Sequence, residues 1–217
     1  MNFATVAGMT DRDAHSIDSV ARLRAIVGEP MPGVELKVYD ALMAEARAFI
    51  ARSPFLVLSS ADRNGNLDAS PKGDEPGFVL VEDDRSIVIP DRPGNKLAYG
   101  LTNVLENPHV GVLFMIPGTT ETLRINGSAE LRSDPELLER LVARGKPAVL
   151  AIRVTVEECF FHCSKAFLRS NLWKPDTWPE KQRISFGRMF AERIAADDPN
   201  LSQTIDDMVE ADARTNL

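Results

Sequence analysis

The feature that most constrains this chain is a repeated hairpin pattern between Pro54 and Arg132. The run PFLVLSSA is followed by DRNGN and then by LDASP. Asn64-Gly65 is the kind of pair that supplies the left-handed backbone angles of a hairpin turn, so the flanking runs are expected to pair antiparallel. GFVLV and SIVIP flank the acidic turn EDDR in the same way, and HVGVLFMI and ETLRINGSAEL flank PGTT. AVLAIRVTV is the last clear strand. Strands in this order, with one helix between hairpins and another before the last strand, argue against a doubly wound parallel sheet. A closed or nearly closed antiparallel barrel would bury them without leaving long edges.

Helices are expected outside this region. SIDSVARLRAIVG opens on a capping residue and stops at Gly28, and VYDALMAEARAFIARS carries Leu42, Ala46, Phe49 and Ile50 at helical spacing before Pro54. KLAYGLTNVLEN and SDPELLERLVARG follow, the latter with Ser133 and Glu136 at capping-box spacing. CFFHCSKAFLRS reads as a short helix, and SFGRMFAERIAA and LSQTIDDMVEADA close the chain.

The chain is 217 residues long, enough for one globular domain with additions. Its formal charge of −7 argues against a nucleic-acid partner, while leaving room for a local basic pocket. No apolar run is long enough to cross a bilayer, and the first residues lack the pattern of a secretory leader. Cys159 and Cys163 lie four apart, on one face of the expected helix and without disulfide geometry. Reduced thiols in a cytoplasmic protein are therefore expected. Cys159, His162 and Cys163 crowd too closely, with no second cluster, to form a zinc site.

Four segments combine residues that could carry chemistry. In Ser70-Pro71-Lys72-Gly73-Asp74, Pro71 removes a donor and Gly73 permits a positive φ, so a strand is expected to end there. Its main-chain groups and Lys72 could face the edge of a planar ligand, but in isolation the segment reads better as a surface turn with a solvated lysine. In IPDRPGNK, Ile89 to Lys96, a strand end runs through glycine into a helix whose free N–H groups suit a phosphate, with Asn95 and Lys96 as further donors. An ordinary Asn-capped helix would look the same. In ETLRINGSAEL, alternation places Thr122, Arg124 and Asn126 on one face, a ligand wall, a wet subunit interface or, more commonly, a solvated strand face. In FHCSKAFLRSNLW, Lys165 and Arg169 share a helix side with Trp173 a turn beyond, able to grip an anion beside a flat ring or simply to cover the surface.

The ordered set FLVLSSADRNGNLDASPKGDEPGFV, IPDRPGNKLAYGLTNVLENPHVGVLFMIPGTTETLRINGSAEL and CFFHCSKAFLRSNLWKP resembles the pyridoxamine 5′-phosphate oxidase-related family of FMN-binding split-barrel proteins. The likeness is greatest to its uncharacterised bacterial flavoproteins. It implies a mainly β fold with flanking α-helices, a six-stranded antiparallel split β-barrel spanning 54–175. Helical extensions are implied at 1–53, packed on the barrel, and at 176–217. It implies a homodimer with FMN at the subunit interface. Ser70, Pro71 and Lys72 would border the flavin ring, with Ile89, Pro90 and Asp91 running past ring and ribityl chain. Asn95 and Lys96 would take the phosphate, Asn95 standing where the oxidases have arginine. Thr122 and Arg124 would also contact flavin, and Lys165, Arg169 and Trp173 would close the site from the partner chain.

The C-terminal arginine and histidine pattern that holds pyridoxal phosphate in the true oxidases is missing. The resemblance therefore implies an FMN-dependent oxidoreductase acting on a small molecule, with NAD(P)H as a candidate reductant, but not a pyridoxamine phosphate oxidase. No residue stands out as a general acid or base. The alternatives are a non-catalytic flavin-binding protein for storage, sensing or stress response, and a haem or deazaflavin binder on the same barrel.

Overall fold

The computed structural model describes residues 15–194, 198 and 200–216, and the chain forms two units, Met1–Lys37 and Val38–Leu217. In the first, helix α1 (Val20–Val27) starts where the Ser19 hydroxyl accepts from the Arg22 N–H at 3.3 Å. It stops at Gly28, whose φ of 79° suits a residue without Cβ. A 3₁₀ turn, Val34–Lys37, follows.

The second unit begins with α2 (Ala44–Ile50), where Ala46, Phe49 and Ile50 are buried as their spacing requires, with Leu42 just ahead of it. The strands are β1 (Phe55–Ala61), β2 (Leu67–Gly73), β3 (Leu80–Val81), β4 (Ser86–Asp91), β5 (His109–Met115), β6 (Thr122–Arg132) and β7 (Leu150–His162). They form one antiparallel sheet in the order β2-β1-β5-β6-β7-β4-β3.

Three expectations need correction. The sheet has seven strands rather than six, because Leu80 and Val81 form a two-residue strand against Val88 and Ile87. Its ladder is open, with β2 and β3 at the two ends, so backbone pairing does not close it into a barrel. β7 continues to His162, so Cys159 lies on a strand rather than sharing a helix with Cys163.

Although open, the sheet curls. Leu56 and Leu58 of β1, Ile87 and Ile89 of β4, and Ile152 and Val154 of β7 belong to one core cluster, together with the fully buried Phe114 of β5. The curl is sharpened at a bulge between Asn126 and Gly127. A Cβ on Gly127 would stand 1.9 Å from the Thr155 carbonyl oxygen, so only glycine lets β6 and β7 approach so closely there.

The first hairpin turns as its sequence requires. Gly65 has a φ of 83°, and Asp62 Oδ1 accepts from the Asn64 and Asn66 amides at 2.8 and 2.9 Å. Bonds from Asn66, its side chain foremost, hold the Asp62 carboxyl below its ordinary pKa. β2 does not stop at Pro71; it pairs on to Gly73, which has no positive φ. Proline is tolerated because β2 is an edge strand, where an N–H need not face a neighbour.

The helices are shorter than expected. α3 is Tyr99–Glu106, and α4, Pro135–Arg140, has Asp134 at its N-cap position, with no side-chain capping bond and without the Ser133–Glu136 box. Asp134 instead takes two hydrogen bonds from Arg132, at 2.8 and 2.7 Å. α5 (Lys165–Ser170), α6 (Phe186–Ile194) and α7 (Leu201–Thr215) complete the chain.

Candidate functional site

The ends of β2 and β4 meet where the ladder is open, and side chains join them. Lys72 Nζ lies 2.5 Å from Asp91 Oδ1, each side chain 16% exposed. One step beyond, Arg92 Nε donates to Asp74 Oδ2 at 2.9 Å. Two ion pairs thus hold the seam that backbone hydrogen bonds leave unpaired.

A cavity of about 930 Å³ opens at this seam. β2 contributes Asp68, Ser70, Pro71, Lys72 and Gly73, and β4 contributes Pro90 and Asp91. The loop 92–98 and the first turn of α3 also line it, with Leu58, Phe78, Leu101 and Leu150 as apolar lining. Asp212 and Asn216, at the end of α7, complete the boundary.

Alternation along β2 explains the polar wall. Asp68, Ser70 and Lys72 point the same way and are half-buried, while Leu67, Ala69, Pro71 and Gly73 point outward and are exposed. The Ser70 hydroxyl donates to the Asp68 carboxylate. Behind them, buried Asn103 donates through Nδ2 to buried Ser60 Oγ at 3.2 Å.

The loop does not form the helix start that its sequence suggests. Lys96 and Ala98 have φ values of 62° and 54°, which delay α3 to Tyr99. Asn95 closes a local turn, its Oδ1 accepting from the Leu97 N–H at 3.0 Å. The first turn of α3 is packed against an acid of this chain, since a Cβ on Gly100 would stand 2.8 Å from Asp68 Oδ2. The dipole end of α3 therefore already faces a carboxylate, and cationic side chains are left as the natural partners for a phosphate.

Arg92 is the strongest of these. Its Nε is engaged by Asp74, yet Nη1 is buried without a hydrogen-bond partner, alone in this respect among side-chain nitrogens and oxygens of the described residues. A buried donor left unpaired is costly, and Arg92 is also among the residues that line the cavity.

Of the residues singled out from the sequence, the structure gathers Ser70, Pro71, Lys72, Pro90, Asp91, Asn95 and Lys96 around one cavity. Ile89 is fully enclosed in the core. Thr122 is buried and Arg124 is exposed, its guanidinium 5.9 Å from the Phe160 ring centroid. Lys165 and Arg169 are exposed, and Trp173 stacks on Phe167 at 5.6 Å while its Nε1 donates to the Thr119 carbonyl at 2.8 Å. None of these six lines the cavity of its own chain.

Sequence reasoning missed Asp68, Arg92, Gly100, Asp212 and Asn216. Asp68 was within reach, two residues before Ser70 on the same strand face. Arg92 stood inside the DRPGN segment already singled out.

A family model for pyridoxamine 5′-phosphate oxidase matches residues 42–163, more than half of the chain and the stretch containing all seven strands. The chain belongs to the pyridoxamine 5′-phosphate oxidase family. No curated protein matches it in sequence. Among solved structures, HupZ of Group A Streptococcus is similar at 16% identity and a TM-score of 0.45, covering 55% of this family member and 92% of HupZ. General Stress Protein 26 from Bacillus anthracis is similar at 17% identity and a TM-score of 0.39, covering 52% and 88% of the two chains. Protein Rv2991 from Mycobacterium tuberculosis is similar at 14% identity and a TM-score of 0.42, covering 68% and 96%.

Proposed function

We propose that this family member is an FMN-binding oxidoreductase on a split-barrel scaffold, acting on a small molecule. The observation that carries the reading is the seam cavity, with Arg92, whose Nη1 is buried and unpartnered, among its lining residues. Its volume, about 930 Å³, suits a cofactor-sized ligand. The donor set fits as well. Arg92 and Lys96 would hold the phosphate, and Ser70 and Lys72 would face the polar edge of the ring. Leu58, Phe78 and Leu101 supply apolar surface. Bound flavin supplies hydride exchange at N5. Lys72, held in place by Asp91, would present a fixed positive charge to that site, and the apolar lining would exclude water.

A homodimer completes the proposal. One row of the outer sheet face runs from Pro71 through Val57 and Leu113 to Arg124 and Phe160, crossing five strands in register. Phe55 and Met115 lie beside it, half-buried like Val57, Leu113 and Phe160. An apolar row broken by one arginine suits a self-complementary contact. Pro71 belongs both to this row and to the cavity wall, so a partner docked there would bring its own Arg124, Lys165, Arg169 and Trp173 toward the site. The free thiols of Cys159 and Cys163 favour a cytoplasmic setting.

The deciding experiment is the visible spectrum of the purified protein, followed by titration with FMN and riboflavin. A flavin spectrum, with FMN bound more tightly than riboflavin, is expected. A colourless protein that takes up neither flavin overturns the proposal. Reduction of the bound flavin by at least one of NADH, NADPH and the uncharged 1-benzyl-1,4-dihydronicotinamide, faster than of free FMN, is expected of a catalyst; failure of all three points to a binding protein instead.

A further inference from the structure

Among the described residues, the side chains lining the cavity include as many carboxylates as cations. Lys72, Arg92 and Lys96 line it, and so do Asp68, Asp91 and Asp212. Two of the cations are already paired, Lys72 with Asp91 at 2.5 Å and Arg92 with Asp74 at 2.9 Å. Asp68 and Asp212 face no cation in an ion pair among the described residues. Asp68 accepts from the Ser70 hydroxyl, and Asp212 Oδ1 accepts from Asn216 Nδ2 at 2.6 Å.

A phosphate monoester brings about −1.5 to −2 charges at neutral pH. Added to side chains whose formal charges already cancel, it leaves the filled cavity net negative. A second ligand then meets a field set by the carboxylates that no cation neutralises. Asp68 contributes from β2, and Asp212 from α7.

We infer that the flavin-loaded cavity takes a neutral or cationic second ligand and disfavours a phosphorylated or otherwise anionic one, with Asp68 and Asp212 setting the choice. This rests on the flavin reading above. It places the substrate outside the phosphate esters from which the family is named, and it gives the last turn of α7 a role in selection rather than in covering alone.

Three probes of one ring shape and different charge test it by equilibrium binding to FMN-loaded protein: 1-methylnicotinamide, nicotinamide and nicotinate. Calorimetry or ligand-observed NMR gives the dissociation constants. Nicotinate should bind on the order of tenfold more weakly than 1-methylnicotinamide at low salt, a size expected of one or two nearby unit charges. The gap should be smaller before FMN is added. It should narrow in Asp212→Asn, where the side chain lies on an exposed helix, but not in Glu139→Gln, an equal charge change on α4 away from the cavity. Nicotinate binding as tightly as the cation overturns the inference. So do equal effects of the two substitutions, or no binding of any probe in the millimolar range. Failure to retain FMN shows in the spectrum before any probe is added, and counts against the flavin reading itself.

Discussion

Lys72 and Asp91 come from strands that share no backbone hydrogen bond, yet their side chains meet at 2.5 Å across the open seam of the sheet. Both are largely shielded from water, so neither is readily re-solvated when the other is removed. Lys72→Met should therefore lower stability by about 2 kcal/mol, less than the full cost of breaking a deeply buried pair. The double change Lys72→Met with Asp91→Leu should recover most of that loss. Urea denaturation of the single and double variants measures both; full additivity would show that the pair does not couple the two strands.

Arg92 is placed to matter more for flavin phosphate than Lys96, because Asp74 fixes its guanidinium and one of its nitrogens lacks a partner. Arg92→Ala should weaken FMN by roughly 1.5–3 kcal/mol, the worth of a charge-assisted hydrogen bond. It should leave riboflavin affinity much less affected. Lys96→Ala should cost less. Fluorescence titration with the two flavins distinguishes a phosphate contact from a general loss of the site.

Gly127→Ala should destabilise the sheet by about 2–3 kcal/mol or more, since the new methyl group would meet the Thr155 carbonyl oxygen at 1.9 Å and backbone must shift. Gly94→Ala is the matched control, as open space surrounds that position and its φ is not positive. Thermal denaturation of the two variants reads the difference.

The two thiols should behave differently. Burial without a compensating charge pushes the Cys159 thiol up to about 11, from an ordinary 9.0, while Cys163 is exposed. At neutral pH a thiol reagent should label Cys163 quickly and Cys159 only on unfolding. Because the folded state holds the Cys159 proton more tightly than the unfolded chain, its contribution to stability is fully present below pH 9.0 and is lost as pH rises toward about 11. Cys159→Ala should flatten that alkaline limb of the stability curve.

Much of the fold was legible locally. The Asn64-Gly65 turn, the hairpins around EDDR and PGTT, and the buried set of Leu42, Ala46, Phe49 and Ile50 all rest on patterns spanning a few residues. The misjudged features depended on neighbours distant in the chain. β2 continues through Pro71 because it is an edge strand, which its own residues do not reveal. α3 starts late because loop 92–98 spends residues in left-handed conformations before the helix can form. Cys159 belongs to a strand because β7 finds pairing partners on β6 as far as Thr122.

The candidate site divides in the same way. Alternation along residues 68–72 determines that Asp68, Ser70 and Lys72 share a face, and strand chemistry alone enforces it. That this face meets Asp91, Arg92 and the end of α7 was decided only by the curl of the sheet, which brings the ends of β2 and β4 together without a ladder between them. Periodicity reports which way a side chain points relative to its own strand. It carries no record of which distant strand will face it once an apolar core has drawn the sheet around itself.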